Sequence, residues 1–301
     1  MSSDHHSHVG DDRRRLAASL ALIVMLMAAE LSVAVVAHSL ALVADAAHLL
    51  VDAGAVGGAM WAVRLSARPV SARWSYGLKR AEILSAAVNG VALVGVAGVV
   101  LVQAVQRLVH PVAVTGSLVL VMAVVGVVIN IGATTVLSGA DRSSLNIQGA
   151  LRHIATDAAG YLATAVAAAV IITTGFRRAD PVASLVVVGL MAWAAWTLLA
   201  ASGHVLLEGT PEGVDLEAVR AHLLASAEHV RDVHDLHAWV LTSDSPAISA
   251  HVVVADSCFR DGHAPQILDA LQSALIGEFD VEHSTLQLEM ASHSEHELGA
   301  H

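Results

Sequence analysis

The chain has 301 residues, 55% of them hydrophobic and 14% charged, with a mean hydropathy of +0.65. Soluble domains carry about a quarter charged residues, so an ordinary globular protein is excluded and membrane immersion is indicated. The formal net charge is −11 and unevenly divided. From Glu208 onward 17 acidic residues face 3 Arg, while the part before it has 10 acidic and 13 basic residues. No basic stripe of the kind that holds nucleic acid stands out.

The first 15 residues, "MSSDHHSHVGDDRRR", read as a cytoplasmic His-containing tail without the layout of a signal peptide. Cys258 is the single cysteine, so neither an intrachain disulfide nor a Cys-rich metal cluster can form. Six continuous apolar runs follow, at about 16–37, 39–63, 81–108, 112–137, 145–174 and 181–207. Each is long enough to cross about 30 Å of hydrocarbon as a helix, and none alternates as a barrel strand does. A six-helix, all-α transmembrane domain over residues 16–207 is therefore expected.

Ten Lys or Arg residues, from Arg13–Arg15 through Arg64, Lys79 and Arg80 to Arg152, fall on one side of these spans; Arg107, Arg177 and Arg178 fall on the other. Positive charge stays inside, so both termini are expected in the cytoplasm. The loop "LSGADRSS" between the fourth and fifth runs is short and His-free, which suits a bacterial inner-membrane protein. Glu30, Asn89, Gln103 and Asn130 interrupt apolar runs and read as interhelical hydrogen-bonding groups. Small residues, as in "VNGVALVGVAGVV", allow helices to approach closely and to rock between inward- and outward-facing states.

Residues 208–290 read as helix, strand, strand, helix, strand, joined between the first two strands by the turn "SDSP". This order suits a cytoplasmic α+β sandwich with helices on one face of an antiparallel sheet. The polar residues 291–301 read as a disordered tail.

The chemistry lies inside the membrane. His48 and Asp52 stand at i and i+4 in "HLLVD", and Asp45 stands three residues before His48, so all three share one helix face. The fifth run repeats the spacing with His153 and Asp157 in "HIATD". A carboxylate at a helix centre costs about 3 kcal/mol on the insertion scale, and a structural hydrogen bond there returns about 1 kcal/mol or less. Two matched pairs are thus poorly explained as helix stitching. Two imidazoles and two carboxylates form a four-donor set suited to a tetrahedral divalent ion, Zn²⁺ foremost, with Cd²⁺ and Co²⁺ left open. Emptied of metal, the set must take up protons, so metal and protons compete for it. Asp45 reads as a group that orients a ligand imidazole or holds a proton.

The stretches "SLALVADAAHLLVDAGA", "YGLKRAEILSAAVNG", "LRHIATDAAG", "ADPVASLVVVGLMAWAAWTLLAASGHVLLEGTP" and "VHDLHAWVLTSDSPAISAHVVV" together resemble the cation diffusion facilitator family, and its zinc-transporting branch most closely. The resemblance covers nearly the whole chain. It implies a homodimeric six-helix transporter that expels Zn²⁺ from the cytoplasm against entering protons. It also implies a cytoplasmic ferredoxin-like α-β-β-α-β domain that dimerises and binds regulatory metal. By the same carry-over, His48, Asp52, His153 and Asp157 are the transport-site ligands. His234, His251, His263 and His283 are candidate cytoplasmic ligands, with Thr285 where some relatives place a carboxylate. The loop "RLSARPVSARWSYG" has no His, Asp or Glu, so no metal site is expected there. Arg80 and Glu208, both at cytoplasmic helix ends, are expected to pair where the two domains join.

Two other classes compete with transport. One is a membrane metal-dependent hydrolase, against which stand the absence of H-E-x-x-H and G-x-S-x-G and a set whose four donors leave no open coordination position. The other is a metal-responsive membrane receptor. The balance favours a transporter over an enzyme.

Overall fold

The computed structural model describes residue 21 and residues 24–138, 145–242, 245–281 and 283–294. The expected His-containing tail, the loop 139–144 and two residues of the "SDSP" turn lie outside these. The chain forms two compact units. One comprises Met1–Trp61 with Ser85–Leu199, and the other Ala62–Leu84 with Ala200–His301.

The first unit is helical. Its elements are α1 (Val24–Ala37), α2 (Leu40–Ser66), α3 (Ala81–Val109), α4 (Gly116–Ser138), α5 (Leu145–Thr174) and α6 (Ala179–Leu206); the ends of α2, α3 and α6 belong to the second unit. Among the described residues four helices are long and apolar enough to cross a membrane: α2, α3, α6 and the part of α5 from His153 onward. Val24–Ala37 and Gly116–Gly132 are shorter apolar helices. The outward faces carry large apolar side chains. Trp193 and Trp196 are 59% and 73% exposed, an arrangement that only lipid makes favourable.

Helix α2 lies at the centre of the unit. Leu40, Ala44 and Val51 pack with Leu93, Ala97 and Val100 of α3 and Val187 and Met191 of α6. Leu42 meets Ala34 of α1, Val119 and Met122 of α4 and Ala168 of α5. Ala41 meets Ala167 and Ile171 of α5 and Ala183 of α6. Alanine dominates these contacts because small side chains let helix backbones approach where no hydrophobic drive separates lipid from protein. At Gly126 of α4 a Cβ would run into the ring of Tyr161 of α5, so these two helices pack closely there.

The α1–α2 corner turns through His38, whose φ is 57°. Beyond it Asp180, in the first turn of α6, accepts hydrogen bonds from Ser39 Oγ (2.5 Å) and Leu40 N (2.8 Å). Arg107, in the last turn of α3, donates to the His38 carbonyl at 2.6 Å and lies 3.8 Å from Asp180. Among the described residues Asn130 makes no hydrogen bond to another helix, contrary to expectation. Its Nδ2 donates to the Gly126 carbonyl one turn earlier on its own helix (3.0 Å), because the lone amide finds its nearest acceptor in the preceding turn.

The second unit carries the expected α-β-β-α-β order, as α7 (Leu216–Ser226), β1 (Val230–Thr242), β2 (Ser245–Val254), α9 (Ala264–Phe279) and β3 (His283–Glu289), with the short helices α8 (Asp256–Arg260) and α10 (Ala291–Ser294) added. The Asp215 carboxylate caps α7 by accepting from Glu217 N, and α9 ends at Asp280 in the left-handed region. Sheet order is β1-β2-β3. β1 and β2 run antiparallel, but β3 runs parallel to β2, which corrects the all-antiparallel expectation. The cause is the α9 crossover, which returns the chain to the same end of the sheet before β3 begins. Ile248, Ala250, Val252 and Val254 alternate onto the face covered by Val219 and Leu223 of α7 and Leu271 and Leu275 of α9. The tail begins with the helical turn α10 rather than as disordered chain.

Candidate metal centre

Helical periodicity stacks His48 above Asp52 on α2 and His153 above Asp157 on α5, and the two pairs face each other. His48 Nε2 lies 3.7 Å from Asp52 Oδ2 and 3.4 Å from Asp157 Oδ1. His153 Nε2 lies 3.5 Å from Asp52 Oδ2 and 3.6 Å from Asp157 Oδ2. Each carboxylate thus faces both imidazoles, and one donor atom from each of the four residues lies within 4.8 Å of the others. A tetrahedral ion with bonds of about 2.0–2.1 Å needs donors about 3.3 Å apart, close to this spacing. Asp52 Oδ2 and Asp157 Oδ1 are buried without hydrogen-bond partners among the described residues, although buried carboxylate oxygens are normally satisfied. They point at other donors, an arrangement suited to a cation between them.

Three of the four side chains are 13–15% exposed, while His153 is 51% exposed. His153 is also the first residue of the apolar stretch of α5, although the helix itself starts at Leu145. The group is therefore closed on the α2 side and open at His153.

Asp45 makes no hydrogen bond to a quartet imidazole among the described residues. Thr164 Oγ1 donates to Asp45 Oδ2 at 3.3 Å, and His48 Nδ1 has no hydrogen-bond partner among the described residues. The cause is height: Asp45 lies level with Thr164, two turns beyond Asp157 on the opposing helix.

The family model described as the cation efflux transmembrane domain matches residues 16–207, and that described as the cation efflux protein cytoplasmic domain matches residues 211–291. The chain belongs to the cation diffusion facilitator family. It is a multi-pass integral membrane protein, and its function is metal cation efflux. It is 37% identical to the metal cation efflux system protein CzcD of Cupriavidus metallidurans, over 97% of this chain and 91% of that one. It is 34% identical to a cadmium, cobalt and zinc/H(+)-K(+) antiporter of Bacillus velezensis, over 98% and 94%. It is also 34% identical to the zinc transporter ZitB of Escherichia coli, over 94% and 90%.

In this facilitator the second unit holds a further candidate cluster. His234 and His251 pair across β1 and β2 on the sheet face away from α7 and α9, with ring centroids 5.5 Å apart. Between them projects Glu289 of β3, its side chain 2% exposed, with oxygens 3.0 Å from His234 Nε2 and 3.8 Å from His251 Nδ1. His293 of α10 approaches the same carboxylate at 3.9 Å. His263 and His283 do not join. His263 is the exposed residue preceding α9, and exposed His283 pairs with Ala247, at the other end of β3 from Glu289. The alternation in "HSTLQLE" puts Thr285, Gln287 and Glu289 on one face, but only the parallel register brings Glu289, rather than Thr285, to His251.

Arg80 Nη2 and Glu208 Oε1 meet at 3.1 Å, both in the second unit and both partly exposed.

Proposed function

We propose that this facilitator exports Zn²⁺ from the cytoplasm in exchange for protons, with His48, Asp52, His153 and Asp157 as its transport ligands. The observation that carries the reading is the convergence of two imidazoles and two carboxylates from α2 and α5 at donor spacings of 3.4–3.7 Å. Two carboxylates cancel the charge of a divalent ion, so the filled site is close to neutral in a low-dielectric surround. Without metal, uncompensated carboxylates favour protonation, and proton uptake and metal release become two halves of one exchange. The imidazoles favour Zn²⁺ over Mg²⁺ and Mn²⁺. The relatives' names, which include zinc transport and cadmium, cobalt and zinc exchange for H⁺ and K⁺, support the same reading.

The positive-inside count supports cytoplasmic termini, an inner membrane suits the short loops, and alternating access moves the site between the two sides. The second unit serves as the dimerising, metal-sensing part, with residues 16–207 as the transport domain. Its cluster of His234, His251 and Glu289 is the regulatory metal site, and Arg80–Glu208 anchors the junction. A hydrolase or a receptor is not favoured.

Purified protein in liposomes with an enclosed zinc dye tests the exchange. An imposed pH gradient should drive zinc uptake, and collapsing it with a protonophore should stop that uptake. Flux indifferent to the gradient would remove antiport, and no flux would remove zinc transport.

A further inference from the structure

The cluster on the sheet of the second unit draws one donor from each of three strands, and a fourth candidate stands just beyond them. Glu289 is its centre. The residue is 4% exposed, and neither carboxylate oxygen accepts a hydrogen bond among the described residues, although buried carboxylate oxygens are normally satisfied. What surrounds it is imidazole. His234 Nε2 lies 3.0 Å from Oε1, while His251 Nδ1 lies 3.8 Å and His293 Nε2 3.9 Å from Oε2. Three imidazoles around one enclosed carboxylate suit Zn²⁺ rather than Mg²⁺ or Ca²⁺, which take oxygen donors.

The backbone brings His293 there deliberately. Had β3 continued in extended form, residue 293 would stand about 13 Å beyond Glu289, at about 3.3 Å per residue. Instead β3 ends at Glu289 and the turn α10 follows, with His293 N donating to the Met290 carbonyl at 2.9 Å. The i, i+4 spacing of a helical turn then returns the ring to the carboxylate it would otherwise have left behind.

His234, His251 and Glu289 each offer a donor atom within 4.8 Å of the others, and His293 stands outside that group. Its side chain is 60% exposed, so the ring is free to turn. A tetrahedral ion holds its donors about 3.3 Å apart, and rotation about the side-chain torsions closes the difference. Three protein ligands leave one position of a tetrahedral ion open, whereas structural zinc sites are closed by four. An imidazole tethered this near reaches the open position in an intramolecular step.

We propose that His293 is the fourth ligand of this site, so that one Zn²⁺ ion fastens the turn Ala291–Ser294 over the sheet. The inference rests on the reading of His234, His251 and Glu289 as a metal site, and adds what that metal does: it couples zinc level to the position of the C-terminal turn. The empty site leaves the His293 ring turned outward, and the filled site draws it in.

The test uses full-length Asp157→Ala protein in detergent, so that the quartet contributes least, and compares variants so that ions held elsewhere cancel. Residues that only orient a ligand are worth about 10–100-fold in metal affinity, so losing a ligand should cost at least about tenfold. His293→Ala should therefore weaken zinc binding by about tenfold or more in competition with a chelating dye, and His293→Glu, which restores a donor, should recover part of the loss. By reciprocity zinc should hold the turn closed by the same factor, slowing cleavage by glutamate-specific protease after Glu295 about tenfold, read by intact mass. In His293→Ala zinc should leave that rate unchanged. Wild-type zinc affinity in His293→Ala, or equal slowing by zinc with and without His293, would overturn the proposal and mean that water takes the fourth position. If Glu289→Gln left the bound zinc unchanged, the cluster would not be a metal site, and the proposal would fall with that reading.

Discussion

Asp180 accepts a hydrogen bond from Ser39 Oγ, 141 positions earlier in the chain, and with it closes the first turn of α2 from the side of α6. The carboxylate is 1% exposed and also meets Leu40 N, so it satisfies backbone donors that α2 would otherwise bury unpaired. Removing it orphans those donors and leaves Arg107 without its 3.8 Å partner. Asp180→Ala should therefore cost about 3 kcal/mol or more, and Asp180→Asn, which can still accept, about half as much. Thermal unfolding in detergent measures both. A loss below about 0.5 kcal/mol in Asp180→Ala would show that this cap does not hold α2.

Gly126 and Tyr161 make a second specific expectation. A Cβ at Gly126 meets the Tyr161 ring, whereas one at Gly132 on the same helix meets nothing within 4 Å. Gly126→Ala should destabilise by about 1–3 kcal/mol through overpacking. Gly132→Ala should stabilise by up to about 1 kcal/mol from helix propensity alone. If the two substitutions gave equal midpoints, the close approach of α4 and α5 would not be a constraint on this sequence.

For the quartet, the expected outcomes concern binding as well as flux. His48→Ala and Asp157→Ala should abolish zinc uptake into liposomes while leaving the unfolding midpoint in zinc-free buffer near the wild type. His48→Asp should admit Cd²⁺ or Mn²⁺ more readily, since it exchanges an imidazole for oxygen. Each ligand must be deprotonated to bind, so apparent zinc affinity should fall as pH is lowered, by up to about tenfold per pH unit for each proton displaced. Isothermal titration across a pH series reads this directly, and an affinity independent of pH would separate metal binding from proton uptake.

Much of this was legible in the chain itself, and the limits have identifiable causes. The pairs in "HLLVD" and "HIATD" could be placed because a period of 3.6 fixes which residues share a helix face. That α2 meets α5 followed from complementary donors, since each pair alone is half a tetrahedral set. Relative height was not readable: Thr164 reaches Asp45 only because of how the two helices are offset, and no periodicity records an offset. The direction of β3 was misjudged for a related reason. Alternation tells which side chains share a face but not which way a strand runs after a helical crossover. Glu289 was missed with it, because only the register Val253↔Glu289 sets that carboxylate beside His251. Asn130 shows that a polar residue in a span can find its partner within its own helix.

That register yields the sharpest expectation for the second unit. In the parallel ladder His251 pairs with Gln287, and His283 pairs with Ala247, four residues away along β2. At about 3.3 Å per residue this separates His283 from the cluster by about 13 Å, too far for one ion to bridge. The Glu289 carboxylate instead lies 3.0 Å from His234 Nε2 and is almost fully enclosed. Zinc bound per chain, counted by elemental analysis of full-length protein after equilibrium dialysis, should fall by one ion in Glu289→Gln and in His234→Ala. His283→Ala and His263→Ala should leave the count unchanged. Because Glu289→Gln removes only charge, the protein should stay folded, and its unfolding midpoint without metal tells a lost ligand from a lost fold. A count that drops in His283→Ala but not in Glu289→Gln would mean that the metal is held at the other end of the sheet.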